Sequence, residues 1–328
     1  MRMARRSMVT GLFAAAMLLQ GCATTTGESA PAQSAPAPLK VYGATMTTEI
    51  APLMLAVQEL YPDGPAVQLG GVASLVNEEI RADVAANAET QLLRNSVNRP
   101  DLRIIMTIVE GKYRIVARKS AGIATLADLK GKRIATLRAT SADFFLARML
   151  EQAGLTEADV TVVNFLPLED VDEAIAKHEI DAVAIWEPFS ENSLRALGGD
   201  AIEFSGKGIY TEHYNLNTTA AALADPVKRK QIVTLMQEVI RQTGKMNQDP
   251  SAAHALVAKS GKYTVEEVAL SWPHHDYYAG IAKAMLEVLV VEEKWLAGQE
   301  KRQPRTREEL ARLIDWSAYE EALAGLNR

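Results

Sequence analysis

Cysteine is almost absent from the chain, which has a single one, Cys22, among 328 residues. One cysteine forms no disulfide within the chain and no thiolate cluster for a metal ion. A strong basic charge is also lacking, because the formal net charge is −6. Proteins that bind nucleic acid carry clustered Lys and Arg residues, so no nucleic acid partner is expected.

Long hydrophobic runs are lacking as well, and the stretch at residues 11–19 is too short for a membrane span of about 20 residues. Three arginines within residues 2–6 precede it, and this order predicts a secretory signal peptide. The sequence Leu19-Gln-Gly-Cys22 resembles a bacterial lipobox, in which the cysteine is acylated. Residues 1–21 are therefore predicted to be a lipoprotein signal peptide, with Cys22 as the lipidation site. The alternative is a plain signal peptide with an incidental cysteine.

The segment 22–38 consists mostly of Ala, Thr, Ser, Pro and Gly. Such a composition offers few large apolar side chains to offset the entropy of ordering, so it predicts a flexible tether. The folded body is then expected on the periplasmic or cell-envelope face of a membrane, lipid-anchored through Cys22.

Strands and helices alternate from Leu39 onward, which predicts an α/β protein with mostly parallel sheets. A first unit is predicted to have strands at 39–42, 66–70, 82–86 and 103–109, and helices at 48–61, 74–79 and 90–96. A second unit is predicted to have strands at 133–137, 160–164 and 182–186, and helices at 142–153 and 168–178. Beyond Asp225 almost everything is predicted to be helical, with breaks at Asp249-Pro250, Gly261, Pro273 and Pro304.

Two strands of the second unit run into polar residues. The first enters a helix through Thr140 and Ser141, and a helix that begins on such residues offers free backbone N–H groups to a ligand. The second ends at Trp186, Glu187 and Pro188. Ligands of such sheets bind at the carboxyl edge, so both segments predict one shared pocket.

The order and spacing of these segments resemble the solute-binding proteins of ABC importers for sulfonates, taurine and nitrate. The resemblance rests on Asp128-Leu-Lys-Gly-Lys-Arg-Ile134, Arg138-Ala-Thr-Ser141, Ala153-Gly-Leu155 and Ile180-Asp-Ala-Val-Ala-Ile-Trp-Glu-Pro188. It implies a periplasmic binding protein type 2 fold, with two α/β lobes, a hinge and an interlobe cleft. Lobe 1 would comprise 39–117 and 218–328, and lobe 2 would comprise 118–217. The chain would cross near 113–118 and 214–220.

The resemblance also implies ligand-binding residues in the second lobe. Arg138, Thr140 and Ser141 match a loop of the family that follows a basic residue, and Arg138 would donate a charge-assisted hydrogen bond to an anionic ligand. Thr140 or Ser141 would also cap the helix. Ala139 replaces a glycine common in the family. If that position needs a positive φ, the loop must be arranged differently here, because alanine tolerates that conformation poorly.

The remaining candidates come from strand ends in both lobes. Trp186 would wall the cleft, whereas Glu187 would contact a ligand donor or a cation, or pair with Arg138. In the first lobe the candidates are Thr45, Met46, Asn87, Glu89, Thr90 and Tyr214. Carboxylates facing a bare anion are costly, so Glu89 and Glu187 favour a zwitterionic or nitrogenous ligand such as an amino-sulfonate or a pyrimidine.

The resemblance implies a lipid-anchored, monomeric receptor that captures a small polar organic solute by lobe closure. The solute would be a sulfonate, taurine, nitrate or a pyrimidine-like molecule, and the partners an ABC permease and ATPase. No catalytic residue, cofactor or metal is expected, and His274-His275-Asp276 is interpreted as a surface turn. Two alternatives stay open: an enzyme on the same two-lobed fold, and a protein that presents its ligand to a sensor.

Overall fold

The computed structural model describes residues 37–326, which form two β-sheets with helices packed on them. The predicted signal peptide, most of the predicted tether and Cys22 lie outside these residues. The strands are β1 (Val41–Gly43), β2 (Gln68–Leu69), β3 (Val84–Ala88), β4 (Leu102–Gly111), β5 (Arg114–Arg118), β6 (Arg133–Thr136), β7 (Thr161–Asn164), β8 (Ala182–Ile185), β9 (Ala201–Ser205), β10 (Glu212–Thr219) and β11 (His275–Gly280). The helices are α1 (Ala51–Leu60), α2 (Ala73–Val76), α3 (Glu89–Ser96), α4 (Ser141–Gln152), α5 (Val171–Ala176), α6 (Phe189–Leu197), α7 (Ala220–Ala224), α8 (Pro226–Gln248), α9 (Ser251–Gly261), α10 (Val265–Ser271), α11 (Met285–Gln299), α12 (Arg307–Ala311) and α13 (Trp316–Leu326).

Six strands form the first sheet, in the order β11-β4-β10-β3-β1-β2. Strand β1 is parallel to both β2 and β3, whereas β10 is antiparallel to both β3 and β4. Because β1 and β3 are parallel neighbours, the loops that follow them meet at the same edge of the sheet. We call this sheet and its helices lobe 1.

Five strands form the second sheet, in the order β7-β6-β8-β5-β9. Strand β6 lies between β7 and β8 and is parallel to both, whereas β5 is antiparallel to β8 and β9. The parallel pairing brings the loop after β6, with Thr140, and the loop after β8, with Trp186, to one edge. We call this sheet and its helices lobe 2.

The chain passes between the two sheets twice, and both passages come earlier than predicted. β4 ends at Gly111 in the first sheet and β5 begins at Arg114 in the second, so the passage is only two residues long. The return runs between β9 and β10, which already belongs to the first sheet. Residues 114–118 of the first predicted crossing and residues 214–219 of the second are instead paired strands within the sheets.

Each lobe has its own hydrophobic core. Side chains of β5, β6 and β8 pack with α4 in lobe 2, where Phe145 is fully buried. Lobe 1 has a core on each face of its sheet, and neighbours along β4 alternate between them: Ile104 belongs to one cluster and Ile105 to the other. This alternation is the two-residue period of a strand that is buried on both faces.

The C-terminal region differs from the prediction in one element. Residues His275–Gly280 form strand β11, paired antiparallel to β4 at the edge of the first sheet, where a surface turn within a mostly helical region was expected. His275 is buried, so this segment is not a surface turn. Within residues 37–326, no helix is both long and apolar enough to cross a membrane.

Candidate functional site

A cavity of about 410 Å³ lies between the two lobes. Lobe 1 contributes residues of β3, α3 and β10, together with residues from the loop after β1 and from the turn after β2. Lobe 2 contributes residues from the loops that follow β6 and β8. The lining residues are Ala44, Thr47, Glu49, Gly70, Gly71, Ala73, Ser74, Asn87, Ala88, Gln91, Leu137, Thr140, Ser141, Trp186, Glu212 and Tyr214. The volume suits a small organic molecule, since such sites span roughly 300 to 1,000 Å³.

Five predicted residues line this cavity: Asn87, Thr140, Ser141, Trp186 and Tyr214. Thr140 is the N-cap of α4, and its hydroxyl accepts a hydrogen bond from the N–H of Ala142 at 3.3 Å. The predicted cap is therefore confirmed, and the same residue faces the cavity. The role of these five side chains in binding a ligand stays a prediction.

Ala139 precedes this cap with a φ of 61°, in the left-handed region that favours glycine. The expectation that alanine would force a different loop is thus wrong. The loop is held by its hydrogen bonds, because the N–H of Ala139 donates to Asp143 Oδ2 at 2.8 Å. Its carbonyl accepts from Gln91 Nε2 at 3.0 Å and from Arg94 Nη1 at 2.9 Å. Both donors belong to α3 in lobe 1.

Two glycines let the backbone of lobe 1 lie close to the cavity. A Cβ at Gly70 would come within 2.5 Å of the Ser74 hydroxyl, and one at Gly71 would overlap the side chain of Asn87. The Asn87 amide oxygen accepts a hydrogen bond from the N–H of Val72 at 3.2 Å. Any larger residue at these two positions would displace side chains that line the cavity.

Glu212 is the first residue of β10 in lobe 1, and its side chain reaches lobe 2. Its Oε1 accepts a hydrogen bond from the Tyr113 hydroxyl at 2.8 Å, and Ser141 Oγ lies 3.4 Å from the same oxygen. Its Oε2 is buried and has no hydrogen-bond partner in the part of the chain that the structure describes. Burial raises the pKa of Glu212 well above its ordinary value, and the negative charges of Glu49 and Glu89 raise it further.

Glu49 is a second buried carboxylate in the cavity wall, with 1% of its surface exposed. It lies in the short 3₁₀ segment Thr48–Ile50 that leads into α1. Its Oε1 lies 3.5 Å from Nε2 of His275, and its Oε2 is buried with no hydrogen-bond partner from the described residues. His275 Nε2 also lies 3.2 Å from the hydroxyl of Thr48. His275 thus belongs to the layer directly behind the cavity.

Arg138 does not line the cavity. Its guanidinium forms an ion pair with Asp143 at 3.1 Å and a second one with Glu157. Both partners belong to lobe 2, so Arg138 braces the loop before α4. The contact between Arg138 and an anionic ligand stays a prediction, and in this structure the guanidinium is held by Asp143 and Glu157.

Glu187 is also absent from the cavity wall, because it points into lobe 2. Arg114 lies 2.9 Å from Glu187, and it pairs with Glu191 and Glu203 at 2.6 Å each. Burial raises the pKa of Glu187, although the positive charge of Arg114 opposes this shift. The expected pairing of Glu187 with Arg138 is therefore replaced by a buried pairing with Arg114.

Glu89 and Thr90 lie behind the cavity rather than in it. The Glu89 carboxylate accepts hydrogen bonds from the Tyr210 hydroxyl at 2.7 Å and from the N–H of His213 at 2.8 Å. The Thr90 hydroxyl donates to Glu292 at 3.2 Å. Burial, followed by the charge of Glu89, raises the pKa of Glu292 well above its ordinary value.

Thr45 and Met46 are partly exposed in the loop after β1 and are not among the cavity residues. Glu49 and Glu212 do line the cavity, but the sequence analysis missed them. Alternation along a strand could have found Glu212, because it stands two residues before the predicted Tyr214 and shares its face of β10. No comparable local signal marks Glu49.

A family model described as NMT1/THI5 like matches residues 70–253, more than half of the chain. A protein of Escherichia coli (strain K12) named as an aliphatic sulfonates-binding protein is 35% identical over 80 residues, which cover 24% of this chain and 25% of that protein. The chain thus aligns with only about a quarter of the length of the curated relatives it matches.

Solved structures share the fold over most of the chain. The alkanesulfonate-binding protein SsuA of Xanthomonas axonopodis pv. citri, bound to MOPS, has a TM-score of 0.70 at 18% sequence identity. The superposition covers 86% of this chain and 99% of the SsuA chain. The desulfurization enzyme DSZB has a TM-score of 0.59 at 13% identity, with 89% of this chain and 100% of its own covered. These likenesses confirm the predicted periplasmic binding protein fold with two α/β lobes.

Proposed function

The chain belongs to the NMT1/THI5-like family, and from this premise we propose that it is the solute-binding protein of an ABC importer. The observation that carries the proposal is the cavity of about 410 Å³ with walls from both lobes. A ligand there would contact Tyr214 of lobe 1 together with Trp186 and Ser141 of lobe 2. Such a ligand favours the arrangement in which the lobes meet, which is how hinged binding proteins close.

The proposed ligand is a small polar organic solute of the classes expected from the sequence: a sulfonate, taurine, nitrate or a pyrimidine-like molecule. The name of the Escherichia coli relative supports the sulfonates within this range. Hydroxyl and amide groups of Thr47, Asn87, Gln91 and Ser141 can bind polar atoms of the solute. Trp186 and Tyr214 offer apolar surfaces for its carbon skeleton.

A thermal-shift screen of the purified protein tests this function, with taurine, alkanesulfonates, nitrate, pyrimidines and simple amines as probes. A solute at a hundred times its Kd should stabilise the folded state by about 2.7 kcal/mol. Trp186→Ala should reduce the shift to about half or less, whereas Trp316→Ala, at an exposed position outside the cavity, should keep it. Stabilisation by none of the probes would contradict the proposed solute classes.

The partners proposed for the loaded protein are an ABC permease and its ATPase, and the receptor is proposed to act as a monomer. We also propose a periplasmic or cell-envelope location with a lipid anchor at Cys22. Metabolic labelling with a radioactive fatty acid tests the anchor. Wild type should be labelled and fractionate with membranes, and Cys22→Ala should be unlabelled. An unlabelled wild type would contradict the anchor without affecting the binding site.

An enzyme is the second candidate, because the desulfurization enzyme DSZB shares the fold. NMR of each stabilising probe after prolonged incubation with the protein separates the two. An unchanged probe supports a binding role. A product that accumulates beyond one equivalent per protein would show catalysis instead.

A further inference from the structure

We infer that the solute carries a protonated amine, and that this cation binds between the carboxylates of Glu49 and Glu212. The inference rests on the proposed binding function and names the substrate class of the same cavity. It sets the solute apart from alkanesulfonates and nitrate, which carry only negative charge.

The two carboxylates together form a site that can accept hydrogen bonds from a ligand. Glu49 enters the cavity from the segment before α1, and Glu212 from the base of β10. Their exposed fractions are 1% and 3%. Each leaves its Oε2 buried with no hydrogen-bond partner among residues 37–326. Buried acceptors without a partner are costly, and an ammonium group with its N–H donors would satisfy both.

The charged side chains that line the cavity, within residues 37–326, are these two glutamates. The guanidinium groups nearest in the fold are engaged elsewhere. Arg94 donates to the carbonyl of Ala139, and Arg138 and Arg114 form ion pairs with carboxylates of lobe 2. A sulfonate placed here would therefore lie beside two carboxyl groups, with no arginine of the described residues in the cavity lining to balance its charge, which is unfavourable in a buried site.

The rest of the cavity suits the body of such a solute. Trp186 and Tyr214 line it from opposite lobes, and aromatic faces attract cations as well as apolar groups. Among residues 37–326, the buried indole N–H of Trp186 has no hydrogen-bond partner. A ring or short chain that bears an amine meets these requirements.

Proton linkage gives an independent readout of the same arrangement. Burial raises the pKa of Glu212, so a cation that binds the ionised form must displace protons. Amine binding should therefore release protons and tighten as the pH rises towards the pKa that Glu212 has in the free protein. The titratable groups that face Glu212 from neighbouring elements are Glu49, Glu89, Glu292, Tyr113, Tyr210 and Tyr214.

Isothermal titration of the purified protein tests the inference with matched probes of opposite charge. The amines are benzylamine, tyramine and putrescine, and the anions are benzenesulfonate and butanesulfonate. At least one amine should bind at least tenfold more tightly than either sulfonate, a difference of 1.4 kcal/mol. Titration in two buffers of different ionisation enthalpy should show proton release.

Variants test whether the amine binds at the two carboxylates. Glu49→Gln and Glu212→Gln should each weaken the amine about tenfold, whereas Glu287→Gln, an exposed glutamate outside this cavity, should not. If a variant fails to fold, the comparison of probes and the proton release on wild type still decide. Binding of a sulfonate but no amine overturns the inference and leaves the proposed function standing. Binding of no probe in either set also overturns the inference, and the thermal-shift screen with taurine, nitrate and pyrimidines then decides the proposed function separately.

Discussion

The guanidinium of Arg94 in α3 donates a hydrogen bond of 2.9 Å to the carbonyl of Ala139 in the loop before α4. This hydrogen bond connects a helix of lobe 1 to the loop of lobe 2 that carries Thr140 and Ser141. Gln91, one turn earlier in α3, donates to the same carbonyl at 3.0 Å and also lines the cavity. The interlobe contact and the candidate binding site thus share one loop.

Arg94→Ala should loosen the contact between the lobes. One hydrogen bond contributes about 0.5 to 1.5 kcal/mol, so the arrangement with the lobes together should be populated less and the solute should bind about two- to tenfold more weakly. Small-angle X-ray scattering without solute should show a larger radius of gyration. Arg99→Ala is the control, because Arg99 pairs with Asp101 inside lobe 1. An unchanged radius of gyration and an unchanged affinity for Arg94→Ala would contradict the role of this hydrogen bond in holding the lobes together.

Ala139→Gly should keep or raise thermal stability. A left-handed φ costs alanine roughly 1 to 2 kcal/mol, whereas the entropy of an added glycine costs about 0.5 to 1 kcal/mol. The same substitution at Ala142, in the first turn of α4, should lower stability because that residue is helical and buried. Calorimetric melting of both variants checks this. A lower melting temperature for Ala139→Gly than for Ala142→Gly would contradict the left-handed conformation.

Arg138→Ala should change the affinity for the solute by less than about threefold, because Arg138 pairs with Asp143 and Glu157 outside the cavity. Trp186→Ala is the comparison, since truncation of a buried aromatic wall should cost about tenfold or more. Isothermal titration measures both. A loss of tenfold or more for Arg138→Ala, as the sequence alone suggested, would mean that the guanidinium reaches the solute after all.

His274 should make stability depend on pH. Burial, with the nearby positive charges of Arg114, His275 and Lys112, lowers the pKa of His274 to about 4. The unfolded chain therefore binds a proton below about pH 6.5 that the folded chain refuses until about pH 4. Stability should fall as the pH falls through this window.

The measurement is urea unfolding of wild type and His274→Asn at several pH values between 4 and 7. The variant should lose part of the slope of stability against pH, while His178→Asn, at an exposed histidine, should keep it. Equal slopes in wild type and His274→Asn would show that His274 is protonated in the folded protein as readily as in the unfolded chain.

Local patterns in the sequence predicted most strands and the cap at Thr140, because apolar periodicity and capping depend on near neighbours. Strand β11 could not be predicted in this way. Its residues His275–Gly280 lack an apolar run, and their extended conformation comes from pairing with β4, which lies far away in sequence.

The candidate site was predictable where a residue and its surroundings come from one loop, as for Ser141 and Trp186. Arg138 and Glu187 could not be placed, because the partners that hold them, Glu157 and Arg114, are brought near only by the folded lobe. The same limit applies to Glu49. Its position in the cavity depends on the packing of two lobes, for which the sequence carries no short-range signal.

Hydrogen–deuterium exchange tests most directly whether the solute binds between the lobes. The probe is the compound with the largest thermal shift in the screen. The account predicts slower exchange both at residues 45–49 of lobe 1 and at residues 139–144 of lobe 2. Protection confined to one lobe, or to the separate surface cavity around Asp83 and Lys228, would contradict it.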